Sequence, residues 1–250
     1  MGTEKPLIAL VTGANRGLGQ AWCRQLALMG YTVILTARSL DKAQEAVSAI
    51  LADHPELPLV AKALDVTDED SIKALADEVK QEYGYLDLLV NNAGINSKSS
   101  NNELTFLKNF RLSYLDPKPI LEMIHINSLA PIMVAKHLVG LLRRGRQPKI
   151  VNMSSWLGAI SQKTSGGNYS YATSKAALNM MTRALAFDVV KEGVVVVAVN
   201  PGWVQTRMGG FSASLTPEQS VQRLIDHVLV KLTIEDAGKF FDWDGTEHPW

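Results

Sequence analysis

Tyr171 and Lys175 lie four positions apart in Tyr171-Ala172-Thr173-Ser174-Lys175, at the opening of a long amphipathic pattern. On a helix this spacing puts phenol and ammonium on one face. A phenol with a pKa of about 10 shuttles protons poorly at neutral pH unless a nearby cation stabilises the phenolate. Taken alone, Tyr-x-x-x-Lys also describes a surface tyrosine and a solvated lysine, so its neighbours decide. Upstream, Ile150-Val151-Asn152-Met153-Ser154-Ser155 reads as a strand ending in two hydroxyls. Hydroxyls of Tyr and Ser together can stabilise a developing alkoxide, and no metal is needed. Cys23 is the single cysteine, which excludes an intramolecular disulfide and argues against a cysteine-based metal site.

A second chemical feature lies near the N-terminus, where Thr12-Gly13-Ala14-Asn15-Arg16-Gly17-Leu18-Gly19 follows an apolar run and leads at once into a helical pattern. Glycines there let backbone approach a pyrophosphate and aim amide N–H groups and a helix N-terminus at it. Any tight strand-to-helix turn uses glycine as well. The spacing is Gly-x-x-x-Gly-x-Gly and departs from the Gly-x-Gly-x-x-Gly fingerprint.

The elements that must position these residues alternate along the chain. Apolar, β-branched runs fall at 7–12, 32–37, 57–64, 86–91, 149–153, 194–200 and 239–243, with helical patterns at 18–30, 40–53, 68–83, 120–144, 169–191 and 216–232. Apolar strands separated by helices predict one domain over 1–250: a doubly wound, Rossmann-like parallel α/β sheet of about seven strands flanked by helices on both faces. Thr67 before Asp68-Glu69-Asp70, and Thr216-Pro217-Glu218-Gln219, mark helix starts. The irregular stretch 96–119 reads as an insertion near the active-site mouth.

With 46% hydrophobic and 20% charged residues, and Lys plus Arg equal to Asp plus Glu at 25 each, the composition is that of an ordinary globular protein. No charge excess favours nucleic acid or an anionic membrane. No apolar run approaches the roughly 18 residues of a spanning helix. Met1-Gly2-Thr3-Glu4-Lys5-Pro6 has no secretory or myristoylation pattern, so a cytoplasmic location is expected.

The glycine spacing, Thr12 before it and its place near the N-terminus resemble the short-chain dehydrogenase/reductase family, and later motifs extend the resemblance in order over essentially the whole chain. In that family an acid at the end of the second strand binds the ribose of NAD. Here Thr36-Ala37-Arg38 offers instead a guanidinium able to take a 2′-phosphate, and Arg16 can add a second charge, so NADPH (NADP+) is the expected coenzyme. The resemblance implies coenzyme contacts from Gly13, Asn15, Arg16, Gly17, Leu18 and Gly19, and from Arg38. Asp65-Val66 matches the adenine-binding pair, although Asp65 also suits a structural role in the turn. Asn92, Ala93 and Gly94 pass the ribose. Pro201 and Gly202 lead to Val204 and Thr206, which hold the nicotinamide carboxamide, and Tyr171 and Lys175 complete the coenzyme set.

The catalytic set implied is Ser155, Tyr171, Lys175 and Asn127, the last holding a water that links the lysine to solvent. Ser154 is the fallback for Ser155, because the interval from Ser155 to Tyr171 is longer than usual for the family and ends in Thr164-Ser165-Gly166-Gly167-Asn168. Asn15-Arg16, Gly202-Trp203-Val204-Gln205-Thr206-Arg207-Met208-Gly209-Gly210 and Asp244-Gly245-Thr246-Glu247-His248-Pro249-Trp250 are most similar to the sniffer-like and carbonyl-reductase branch. The resemblance implies NADPH-dependent reduction of a small-molecule aldehyde or ketone. The same residues can also run alcohol oxidation, or the chain can be a non-catalytic NADPH-binding sensor. A short substrate lid is expected at 207–216, with Gly209-Gly210 as hinge and Met208 and Phe211 as apolar cover. Trp156 and Trp203 suit either the pocket or ordinary packing. A homodimer, a homotetramer and a monomer are all compatible with the family, and an insertion packed over the 120–144 helix would block its pairing face.

Overall fold

A computed structural model of the chain describes residues 5–97 and 102–250. Residues 1–4, which bear on targeting, and 98–101 of the expected insertion lie outside those described. The seven strands are β1 (Leu7–Val11), β2 (Tyr31–Ala37), β3 (Leu59–Ala63), β4 (Leu88–Asn91), β5 (Lys149–Met153), β6 (Val195–Asn200) and β7 (Phe240–Asp242). They form one sheet in the order β3-β2-β1-β4-β5-β6-β7, and every pairing is parallel.

Strand periodicity explains the two layers. Ala9 and Val11 of β1 and Val195, Val197 and Val199 of β6 face one core, which α1 (Gly17–Leu28), α2 (Leu40–Leu51) and α8 (Pro217–His227) cover. Ile8 and Leu10, with Val194 and Val196, face the other, covered by α3 (Glu69–Glu82), α6 (Ala130–Leu142) and α7 (Tyr169–Val189). Both faces are buried, so the strands are apolar throughout and not alternating. Strand order reverses between β1 and β4, which opens a crevice at their carboxyl ends, the place where open α/β sheets bind ligands.

Four local features differ from the sequence expectation. The stretch 96–119 is not wholly irregular: α4 (Glu103–Phe110) starts on Asn102, whose side chain accepts from Thr105 N, and α5 (Pro117–Ile124) starts on Asp116. The expected 120–144 helix is α5 joined to α6 through a π-helical turn, His125–Leu129, which contains Asn127. The side-chain cap of α3 comes from Asp68 and not Thr67, because Thr67 is engaged by Asp65. The last long helix stops at His227 and continues only as a short 3-10 turn, Leu229–Lys231. At its start Thr216 and Gln219 form the reciprocal capping box.

By length and composition the joined helix Pro117–Leu142 is apolar enough to cross a membrane, although no single apolar run in the sequence is. Val134, Ala135, Leu138, Leu141 and Leu142 spend its apolar face on the sheet, which is the behaviour of a core helix.

One buried carboxylate ties the entrance of the sheet together. Asp87 accepts from Ile8 N at 2.8 Å and from Arg146 N at 2.7 Å, joining the start of β1 to the approach of β4 and the turn before β5. Asp87→Ala strands two amide donors and is expected to lower unfolding free energy by about 3 kcal/mol in urea titrations. A loss under about 0.5 kcal/mol, the range of neutral surface changes, would show that this staple contributes little.

Candidate active site

A cleft of about 1230 Å³ opens at the carboxyl ends of the strands. It is lined by every coenzyme residue expected from the sequence: Gly13, Asn15 to Gly19, Arg38, Asp65, Val66, Asn92, Ala93, Gly94, Tyr171, Lys175, Pro201, Gly202, Val204 and Thr206. Ser155 lines it too, while Asn127 is fully buried behind it.

The glycine loop is folded too tightly for side chains. A Cβ on Gly13 would stand 2.8 Å from Ala93 Cα, and one on Gly19 would stand 2.5 Å from Asn92 Nδ2. Gly13 and Gly17 also have φ of +61° and +56°, which an L side chain resists. Asn92 stitches the crevice: its side chain donates to the carbonyls of Thr12 and Gly13 at 3.0 Å, and Thr12 Oγ1 accepts from the amides of Asn92 and Ala93. Helix α1 then begins on Arg16 with no side-chain cap and no acid in its first turn. Its first amides therefore point into the cleft without a side-chain acceptor, which is the arrangement that suits an anionic group.

Arg16 and Arg38 stand at that end of the cleft. Burial first, then Arg207 and Arg38, push the Arg16 guanidinium below its usual range, as expected for like charges gathered together. Asp65 does both things expected of it. It lines the cleft, and its Oδ1 accepts from Thr67 N at 2.9 Å and Thr67 Oγ1 at 2.6 Å, which holds the carboxyl below the usual carboxylate range. A glycine cradle, free helix amides and clustered cations fit a dinucleotide with a phosphorylated ribose.

Elsewhere on the cleft, one face of α7 carries Tyr171 and Lys175, the pair expected to react. Tyr171 and Lys175 share the buried stripe with Ser174, Leu178 and Thr182, at the i, i+3, i+4 spacing that seats α7 on the sheet. Lys175 Nζ donates to Met153 O at 2.7 Å, at the end of β5, and lies 5.7 Å from the Tyr171 ring centre. Burial pushes the Lys175 ammonium down to about 8. Burial pushes the Tyr171 phenol up to about 12, against a lowering hydrogen bond from Ser155.

The two serines are clearly divided. Both line the cleft, but Ser155 hydrogen-bonds Tyr171, whereas Ser154 donates to Asn179 on α7. Asn127 uses its whole amide on protein. Its Oδ1 accepts from Ile95 N at 2.8 Å, and Nδ2 donates to Ile95 O and to Ser174 Oγ. The π turn presents Asn127 to this seam, joining the strand-end loop after Gly94 to the catalytic helix.

The α4 insertion reaches the same helix. Phe110 O accepts from Asn168 N, and Asn109 O accepts from Ser170 Oγ. Asn168 begins α7 in the left-handed conformation, φ 54°, after Gly167 at 82°. The polar Thr164–Asn168 stretch is thus fixed at its far end by the insertion.

The segment 207–216 is tied more firmly than a glycine hinge would suggest. Gly209 N donates to Thr206 Oγ1 at 3.0 Å, and a Cβ on Gly209 would meet Val204 O at 2.0 Å. Gly209 is there for close approach, and only Gly210, at φ +82°, uses glycine's conformational freedom. Met208 and Phe211 line the cleft, but Phe211 is 99% exposed and covers nothing. Trp156 and Trp203 line the mouth and are half exposed, and Trp203 Nε1 donates to Gly209 O.

Several residues of the cleft escape a side-chain reading of the sequence. Met153 acts through its carbonyl, and Ser174 through a bridge visible only in three dimensions. Lys42 and Arg207 line the cleft as well, and Lys42 left a signal as a cation four residues after Arg38, in the first turn of α2. Among the described residues no group of three or more His, Cys, Asp or Glu is placed to hold a metal.

The family model of short chain dehydrogenases matches residues 7–217, and the chain belongs to that family of oxidoreductases. The C-signal protein of Myxococcus xanthus is 37% identical over 67% of this chain and 94% of its own length. Among solved structures, the NADPH-bound carbonyl reductase from chicken fatty liver is 33% identical with a TM-score of 0.83, covering 97% of this chain and 98% of that one. The carbonyl reductase Sniffer of D. melanogaster is 31% identical with a TM-score of 0.84, covering 98% and 99%. These neighbours agree with the resemblance to the sniffer-like and carbonyl-reductase branch.

Gly158 provides a test of how finely Lys175 is placed. Its missing Cβ would lie 2.7 Å from the Lys175 carbonyl carbon and 2.8 Å from Lys175 Cβ. Gly158→Ala must push the α7 backbone away from the 3-10 turn Trp156–Gly158 that follows β5. It is expected to lower kcat by about 10²-fold, as small misplacements of reacting groups do, while circular dichroism stays unchanged. Full activity in a folded variant would show that the Lys175 position is tolerant.

Proposed function

We propose that the chain is an NADPH-dependent carbonyl reductase that converts an aldehyde or ketone to the alcohol, with Tyr171 as proton donor. The observation that carries this reading is the buried Tyr171–Lys175 pair beside Ser155, at the opposite end of one cleft from Arg16 and Arg38. The chicken neighbour, bound to NADPH, supports the same coenzyme.

The residues divide the work as follows. Ser155 and Tyr171 hydroxyls grip the carbonyl oxygen and stabilise the charge that develops on it. The hydride that reaches the carbonyl carbon comes from NADPH when it is bound. Tyr171 gives its proton to the oxygen, so the carbonyl gains hydride at carbon and a proton at oxygen. Lys175, steered by the Met153 carbonyl, offsets the phenolate left behind. Asn127 holds Ile95 and Ser174 in place through its side-chain amide, which leaves its backbone carbonyl for the water that the resemblance assigns to it.

Alcohol oxidation uses the same groups in reverse and needs Tyr171 as a base. Burial keeps the Tyr171 phenol protonated near neutrality, which is the form that reduction starts from. A sensor has no use for a complete Ser155, Tyr171 and Lys175 set.

Tyr171→Phe keeps the ring and removes the proton. It is expected to cut carbonyl-dependent NADPH oxidation by about 10²–10⁴-fold across a panel of aldehydes and ketones, with NADPH affinity retained. Oxidation continuing at the wild-type rate would disprove the role given to Tyr171.

A further inference from the structure

Arg207 occupies a position that the catalytic reading leaves unused. Three cations gather around the glycine loop: Arg38 follows β2, the neighbour of β1, Arg16 sits in the loop itself, and Arg207 is carried back to it by the segment after β6, where Thr206 meets Gly17. All three line the same cleft. None makes a hydrogen bond or salt bridge with a protein group among the described residues. Arg16 feels Arg207 more strongly than it feels Arg38. Asp65, on the same cleft, offsets part of the charge of Arg38; Arg16 and Arg207 repel each other, and a bound anion relieves that repulsion.

The backbone bearing Arg207 is fixed against the glycine loop. Thr206 Cγ2 stands 3.4 Å from the Cβ position of Gly17, at the start of α1. Gly210 N donates to Thr206 O at 2.8 Å, Gln205 N donates to Leu215 O at 2.8 Å, and Leu215 N donates to Trp203 O at 3.1 Å. Arg207 is therefore delivered by a rigid turn to the α1 N-terminus, where a pyrophosphate meets the free amides. Arg38, at the end of β2, lies on the ribose side.

On the reading of this cleft as a coenzyme site, we propose that Arg207 is a third coenzyme-binding cation, directed at the pyrophosphate and not at the 2′-phosphate. It then serves NADPH and NADH alike, while Arg38 distinguishes between them. The same contact keeps Met208 and Phe211, which follow on the turn, at the cleft mouth.

Isothermal titration of wild type, Arg207→Ala, Arg207→Gln and Arg38→Ala with NADPH and with NADH tests this without turnover. Both Arg207 variants are expected to bind each coenzyme about tenfold more weakly, as for loss of one charge-assisted contact. Arg38→Ala should weaken NADPH alone. Arg207 is exposed, so thermal melting of the unliganded variants is expected to match wild type. Unchanged affinity for both coenzymes overturns the assignment. A loss confined to NADPH also overturns it, by moving Arg207 to the 2′-phosphate. If wild type binds neither coenzyme, the coenzyme reading itself fails and this inference falls with it; if wild type binds both and the Arg207 variants match it, only the inference fails.

Discussion

Lys175 carries an ammonium group into the protein interior, where its protein acceptor is the Met153 carbonyl at 2.7 Å. Burying a cation without a carboxylate is costly, and the cost appears as an ammonium that gives up its proton near pH 8. The surroundings make sense as support for that position. β5 ends where its last carbonyl can receive Nζ, Gly158 leaves room for the helix turn, and α7 presents phenol and ammonium on one face.

Around this pair the fold acts as a vice. The parallel sheet is buried on both faces, so its strand ends cannot shift without disturbing two cores at once. Asn91 Nδ2 donates to Asn152 Oδ1 between β4 and β5, and Asn152 Nδ2 donates to Thr182 Oγ1 on α7. The crevice between β1 and β4 is joined in turn by Asn92 and Thr12. Hydrogen-bonded amides thus run from the glycine loop to α7, with the buried Asn91 Oδ1 left without a partner.

Much of this was legible in the sequence because apolar runs and helical periods report burial directly. The glycine loop, Arg38, Ser155, Tyr171 and Lys175 could be placed because their chemistry depends on residue type and order. The π turn at Asn127 was not legible, since Ile124-His125-Ile126-Asn127-Ser128 carries an ordinary helical pattern and its irregularity follows from contact with Ile95. Helix α4 was obscured by a polar approach and a short length. Gly209 looked like a hinge because sequence cannot distinguish a glycine chosen for freedom from one chosen for close approach. Arg207 was read as part of a lid because its approach to the glycine loop rests on the contact of Thr206 with Gly17, which only the folded chain shows.

In the proposed reaction, reduction depends on a protonated Tyr171 beside a charged, buried Lys175. The phenol, at about 12, keeps its proton throughout the accessible range, so the lysine sets the limit. Lowered to about 8 from an ordinary 10.5, the ammonium is present below pH 8 and lost as pH rises through it. The most direct measurement is the pH dependence of kcat/KM for a carbonyl substrate at saturating NADPH. A plateau at lower pH and a decline centred at about 8 are expected. A profile that stays flat to about pH 10, the range of an ordinary solvated lysine, would contradict that dependence.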